Sequence, residues 1–227
     1  MTTPGGVDAN AVYSLGHSDG ESSRLQRQAD ELLPQSAALV DRTTLGPGAA
    51  AIDVGCGPRG VLELLASRVG PLGKVVGVDA DPNHVEMARL AKPGGWVIGL
   101  EPDVEPSVCY PPSPSYDRLG SMFPVVFSRN GADWRMGRRV AELYRAAGLV
   151  DVHVETRAEV YPKGHTRRTI RVDLLRSMRP FIVELGLATD AELDQLFADA
   201  LAHLDDPDVV LMPSVNFLVS GRKPDST

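Results

Sequence analysis

The chain lacks the features on which several classes of protein depend. Its 227 residues contain two cysteines, Cys56 and Cys109. They form no C-x-x-C and no disulfide framework, which fits a reducing compartment. No apolar stretch is long enough to span a bilayer, and residues 1–10 hold no apolar h-region, so neither a membrane nor secretion is expected and the cytoplasm is. The formal net charge of −7 leaves no basic footprint for a nucleic-acid backbone. Lysine is scarce beside arginine, a bias seen in products of GC-rich bacterial genomes. His17, His84, His153, His165 and His203 are scattered without ligand spacing, which argues against a zinc site. Ser14, Ser18, Ser22 and Ser23 stand in no nucleophile elbow, so hydrolase chemistry has no support. There is no internal repeat and no low-complexity segment.

What is present is organised around residues 50–60, A-A-I-D-V-G-C-G-P-R-G. A short apolar run ending in Ile52 and Val54 meets a glycine-rich turn, and an amphipathic stretch begins at Val61. Strand, glycine turn and helix make the first half of a βαβ nucleotide-binding unit. Gly55 permits a tight turn, and Gly57, with no Cβ, lets a ligand approach the backbone. A second strand at 74–78 ends in Asp79, roughly 20 residues beyond the turn, where such sites place a carboxylate for two ribose hydroxyls. Asp81 and Pro82 then announce a helix. Asp53 sits two residues before Gly55, where a dinucleotide-binding strand carries an apolar side chain. A carboxylate there needs a donor or a cation. An ammonium and a sulfonium suit it better than a pyrophosphate.

D-V-G-C-G at 53–57, G-V-D at 77–79 and A-K-P-G-G-W at 91–96 resemble the class I S-adenosylmethionine-dependent methyltransferases, in their small-molecule branch. Arg59 stands where many members have a further glycine. The resemblance implies an α/β fold: a Rossmann-like methyltransferase sandwich with an N-terminal helical cap and a C-terminal helical lid. It implies S-adenosylmethionine as cofactor and Tyr13, Gln28, Asp53, Gly55, Cys56, Gly57, Asp79 and Ala80 as its neighbours. Asp79 would hold the ribose, Asp53 would answer the ammonium directly or through water, and Cys56 would be a small residue inside the turn. Tyr13 and Gln28 belong to the cap, where a solvated surface helix is the competing reading.

Against that family, residues 87–95 run from the helix after the second strand straight into the P-G-G turn. Two βα units are absent, including the strand that normally lies beside the first and the acidic turn that reads the adenine. About fifteen residues separate Asp79 from the strand at Trp96, enough for one crossover to a parallel neighbour. That strand is therefore expected outside the second strand or beside the first, in a mostly parallel sheet that is interrupted around the first strand and prone to self-association through its open edge.

Other expected elements are a helix at 21–44 kinked or split at Pro34, a helix at 61–69, a loop at 101–114 and helices at 116–127 and 136–147. A strand at 150–160 follows, then helices at 166–187 (interrupted at Pro180) and 189–204, and a closing strand at 215–221. The whole is read as one domain: cap to 45, cofactor core 46–156, lid 157–208, closing strand and tail from 209. Lys163, Arg167, Arg168, Arg171, Arg176 and Arg179 make the lid basic; a solvated helix face is favoured over an acidic-substrate site. His17 is read as a surface histidine before a catalytic base. The expected function is methyl transfer to a small-molecule acceptor, with no general base assigned. A nicotinamide-dependent oxidoreductase, which would use the same glycines and Asp79 but lacks a Tyr-x-x-x-Lys pair, and a non-catalytic binding protein remain open.

Overall fold

The computed structural model describes residues 19–56, 60–78, 91–129 and 132–225, with side chains from Leu25. The elements in order are α1 (Asp19–Val40), β1 (Ala50–Val54), α2 (Leu62–Val69), β2 (Lys74–Val78), β3 (Trp96–Asp103), β4 (Val108–Tyr110), α3 (Pro114–Arg129), α4 (Met136–Ala146) and β5 (Val150–Ala158). A 3-10 turn (Thr166–Arg168), α5 (Ile170–Ser177), α6 (Arg179–Glu184), α7 (Asp190–Leu204), β6 (Val210–Met212) and β7 (Val215–Arg222) follow. The fold is α/β. The described residues divide into two compact units, one of 19–21 with Val104–Trp134 and Glu159–Ser214, the other of Ser22–Asp103 with Arg135–Ala158 and the chain from Val215.

The second unit holds two of the three sheets found among the described residues. β1 and β2 are parallel, from Ala50 opposite Lys74 to Val54 opposite Val78. β3, β7 and β5 form a separate antiparallel sheet with β7 in the centre. β3 meets β7 in unbroken register from Trp96–Arg222 to Asp103–Val215, while β5 slips between Val150 and His153, where Asp151 takes a φ of 53°. α4 covers this sheet with Val140 and Tyr144, which pack with Val97, Leu149 and Val219. Arg138 of α4 forks onto the buried carboxylate of Asp103 at the end of β3. Gln35 of α1 accepts a hydrogen bond from Asn216 of β7 at 3.1 Å, and Arg42 pairs with Glu155 of β5. Pro34 lies on an exposed position of α1 and does not divide the helix, contrary to expectation. A proline ring turned to solvent removes one hydrogen bond without colliding with packed neighbours.

The pairing corrects the expectation of a mostly parallel sheet. Among the described residues only β1 and β2 run parallel, and β3 pairs with neither. Its partner β7 offers an eight-residue ladder, and the pair buries Val97 and Val219 beneath α4. Pairing of that length satisfies more backbone groups and removes more apolar surface than a place beside the half-exposed β1 could.

The first unit is mostly helical. Tyr116, Leu119, Met122, Phe123 and Val126 of α3 recur at three- and four-residue spacing and are all buried, the stripe that a helix needs to close a core. They meet Val172 and Leu175 of α5, Ile182 of α6 and Leu193, Phe197 and Leu204 of α7. Thr189 and Glu192 form a reciprocal capping box that starts α7, satisfying donors that a helix N-terminus leaves open. Its hydrogen bonds from Thr189 hold the Glu192 carboxyl below its ordinary value.

Two expectations fail in this unit and its border. Residues 101–114 are not one irregular loop: β3 continues to Asp103, and Val108–Tyr110 pairs antiparallel with Val210–Met212. Three-residue strands show no alternation, so no periodic signal marks them. The basic residues are not all on a solvated face either, since Arg167, Arg168 and Arg171 are buried. The Arg168 guanidinium donates to the carbonyls of Tyr161 at 2.8 Å, Asp206 at 2.7 Å and Leu204, the hydrogen bonding that a buried guanidinium requires.

Candidate functional site

The glycine turn is held together by its own backbone. β1 and β2 end side by side at Val54 and Val78, so the turn at Gly55 lies at the same end of the pair as Val78. Gly55 has a φ of 76° and Gly60 one of 48°. A Cβ on Gly60 would stand 2.3 Å from Asp53 Oδ2 and 2.7 Å from the Cys56 carbonyl oxygen. Only glycine fits that backbone and that space.

Asp53, half-buried, accepts a hydrogen bond from the Val61 backbone N–H at 3.0 Å. The acid near the end of the strand thus ties down the backbone of Val61, the residue just before α2. A negative charge at a helix N-terminus is also favourable. The sequence marks Asp53 as a carboxylate in need of a donor, and the donor lies eight residues away in the backbone. The Cys56 side chain fits over β2: a Cβ on Gly77 would stand 2.9 Å from Cys56 Sγ and 3.0 Å from a Leu62 methyl. Gly77 therefore has a packing role: it lets the turn and the first residue of α2 press onto β2.

The structure brings Asp53, Gly55 and Cys56 together at one end of β1. Gln28 lies half-buried on α1, two turns before the Gln35 that bonds to β7. Tyr13, Gly57, Asp79 and Ala80, the helix expected after Asp81, Arg59 and His17 all lie outside the described residues. No group of three histidine, cysteine or carboxylate side chains able to hold a metal occurs among the described residues, and no described helix is long and apolar enough to cross a membrane. The helical unit carries a shallow groove lined by Arg118, Ala188, Glu192, Gln195 and Leu196. Sequence reasoning missed this groove and the buried arginines, for neither has a local signature.

No family model matches the chain. Among curated proteins it is 31% identical over 97 residues to a trans-aconitate 2-methyltransferase of Methylobacterium nodulans, covering 40% of this chain and 37% of that protein. It is 35% identical over 85 residues to the ribosomal RNA large subunit methyltransferase E of an Anaeromyxobacter species, covering 37% of this chain and 26% of that one. A 53-residue stretch is 42% identical to an uncharacterized 37.1 kDa protein in a Streptomyces fradiae transposon, covering 23% of this chain and 15% of that protein. The chain thus spans little more than a third, at most, of the length of these relatives.

Among solved structures, a phosphoethanolamine N-methyltransferase 2 of Haemonchus contortus, determined with S-adenosylhomocysteine, overlays on 85% of this chain and 53% of its own at 17% identity and a TM-score of 0.44. A methyltransferase-like protein of Bacillus halodurans overlays on 83% of this chain and 98% of its own at 15% identity and a TM-score of 0.45. Overlays this loose carry no argument. The two curated relatives with a named activity are methyltransferases, which agrees with the resemblance carried by D-V-G-C-G and G-V-D.

Proposed function

We propose that the chain binds S-adenosylmethionine at the turn between β1 and α2 and serves methyl transfer to a small-molecule acceptor. One observation carries the reading: the Asp53 carboxylate is built into the turn itself, 3.0 Å from the Val61 N–H. A fixed negative charge at that place favours a cationic amino-acid end over the pyrophosphate of a dinucleotide. The methyltransferase relatives support the same choice.

Bound there, S-adenosylmethionine would supply an electrophilic methyl group on its sulfonium. The chain's own part would be to hold and to exclude water. Gly55 and Gly57 would admit the methionine portion to the backbone, with Cys56 closing the turn beside them. Asp53 would face the ammonium while keeping its bond to Val61. Asp79, following directly on Val78, would accept from two ribose hydroxyls next to Ala80, and Tyr13 and Gln28 would close the cap. Fixing donor and acceptor in line supplies most of the acceleration in such a reaction, so no general base is assigned.

The net charge of −7 supports a small acceptor rather than nucleic acid, although one relative is a ribosomal RNA methyltransferase. A second reading rests on β1, which among the described residues has β2 as its one neighbour. The edge opposite β2 is where a relative's additional strand would lie. On that reading the chain binds cofactor weakly, turns over slowly or not at all, and self-associates through this edge. Calorimetric titration with S-adenosylhomocysteine and with NAD separates the possibilities. Binding of the first alone is expected, weakened by about 2–3 kcal/mol in Asp79→Ala, the range for losing charge-assisted hydrogen bonds to two hydroxyls. Preference for NAD, or equal affinity in Asp79→Ala, removes the assignment.

A further inference from the structure

The β4–β6 ribbon of the helical unit turns one face to its core and leaves a second apolar face outside. Side chains alternate across a strand. Cys109 and Leu211, directly opposite each other, join the core of α3, α5 and α7. The other face carries Val108 opposite Met212 and Tyr110 opposite Val210. Val108, Tyr110 and Val210 are exposed, Tyr110 by 66%. The Tyr161 N–H donates to the Leu211 carbonyl at 3.0 Å, so its neighbour Val160, 61% exposed, lies beside the same ribbon. A single exposed valine needs no explanation. Cross-strand neighbours on one face lie close enough to form a patch, and an apolar patch rimmed by polar groups marks a contact surface.

The charges around this patch are of one sign. The segments that build it carry five carboxylates, Glu105, Glu159, Asp205, Asp206 and Asp208, all on exposed residues. Against them stand Lys163, paired with Asp205 at 2.9 Å, and Arg168, buried and bound to the carbonyls of Tyr161, Leu204 and Asp206. The rim decides between occupants. A second copy set face to face would bring these carboxylates against their own equivalents, and an anionic lipid surface would be repelled for the same reason. Strand addition along β4 is limited as well. The strand is three residues long, and Pro106, Pro111 and Pro112, which have no N–H to pair, flank it.

We propose that this face docks a short segment of a partner protein in which apolar or aromatic side chains are flanked by lysine or arginine. Tyr110 is the anchor, since its ring offers a large apolar surface while its hydroxyl stays wet at the edge of the contact. The partner's cations meet the acidic rim, where they govern encounter and choice of partner more than strength. The face shares no residue with the cofactor site, and its test uses neither S-adenosylmethionine nor turnover.

The test is anisotropy titration of the whole chain into a fluorescein-labelled peptide, Lys-Lys-Leu-Trp-Val-Lys-Lys. One control peptide has glutamate for every lysine, and another has serine for the leucine, tryptophan and valine. The first peptide is expected to bind, less tightly as salt rises, and both controls at least about tenfold more weakly. Tyr110→Ala should weaken binding about tenfold, the scale of an interface anchor, and Val210→Thr by less. Asp208→Asn should weaken it about two- to threefold, the scale of an exposed ion pair. Asp190→Asn makes the same charge change at the other end of α7 and should leave affinity unchanged. All four positions are exposed, so the variants should melt close to the wild type. The proposal is overturned if the lysine peptide does not bind, if the glutamate peptide binds as well, or if Tyr110→Ala and Asp208→Asn bind as the wild type does. A concentration-dependent dimer in sedimentation that Tyr110→Ala abolishes would assign the face to a second copy and overturn it too.

Discussion

The two sheets of the strand unit are supported very differently. In β7, Asn216 and Leu218 to Gly221 are buried and the strand is paired on both sides. In β1 no residue is buried, and the cross-strand partners Ile52 and Val76 are 45% and 37% exposed. A two-stranded sheet with so little cover is marginal on its own. The motif that carries the methyltransferase resemblance thus stands on the less supported sheet, while the antiparallel sheet and the helical core carry most of the burial. Ligand-binding segments are commonly drawn from the low-stability end of a structure, and here the contrast falls inside one unit.

The comparison is broken most directly by paired truncations. Leu218→Ala in β7, at a fully buried position, should cost about 2–5 kcal/mol in denaturant unfolding. Ile52→Ala, with nearly half its surface exposed already, should cost under about 1 kcal/mol, because little transfer energy is at stake. Equal losses would mean that β1 is as well supported as β7.

A smaller effect is expected at the turn. Asp53→Ala removes the acceptor for the Val61 N–H and should lower stability by about 0.5–1.5 kcal/mol, the net worth of one hydrogen bond. A titration melt of Asp53→Asn, which keeps an acceptor oxygen, should recover most of that loss. If both variants melt like wild type, the bond to Val61 has no energetic role.

The smallest effect, and one of opposite sign, belongs to Tyr144. Its hydroxyl is buried under the antiparallel sheet without a partner among the described residues, against Gly99 of β3, where an added Cβ would stand 2.8 Å from it. Burial, with Glu101 adding to it, pushes this phenol above its ordinary value. Removing a buried, unsatisfied hydroxyl should raise stability by up to about 1 kcal/mol in Tyr144→Phe. A clear loss of stability would mean that the hydroxyl has an acceptor after all.

What could be read from the sequence was local. The apolar run at 50–54, the strand at 74–78 and the strands beginning at Trp96, Val150 and Val215 are each bounded by turn residues, and all five were found at those places. Their partners were not legible, because the ladder from Trp96–Arg222 to Asp103–Val215 joins residues more than a hundred positions apart. Crossover length alone pointed to a parallel neighbour instead. In the site, the charge on Asp53 was visible, but its partner is a backbone N–H that no residue type announces. The burial of Arg168 and Arg171 was hidden for a similar reason. Arg168 is satisfied by main-chain carbonyls, so no opposing carboxylate in the sequence marks it.

Hydrogen exchange resolved to single peptides, with and without S-adenosylhomocysteine, tests the central claim. The account predicts fast exchange in 50–54 and 74–78, slow exchange in 96–103 and 215–222, and marked slowing confined to the first pair when the ligand is added, since a ligand stabilises the state it binds. Exchange in 50–54 and 74–78 that the ligand leaves unchanged, at a concentration where calorimetry shows binding, would contradict it.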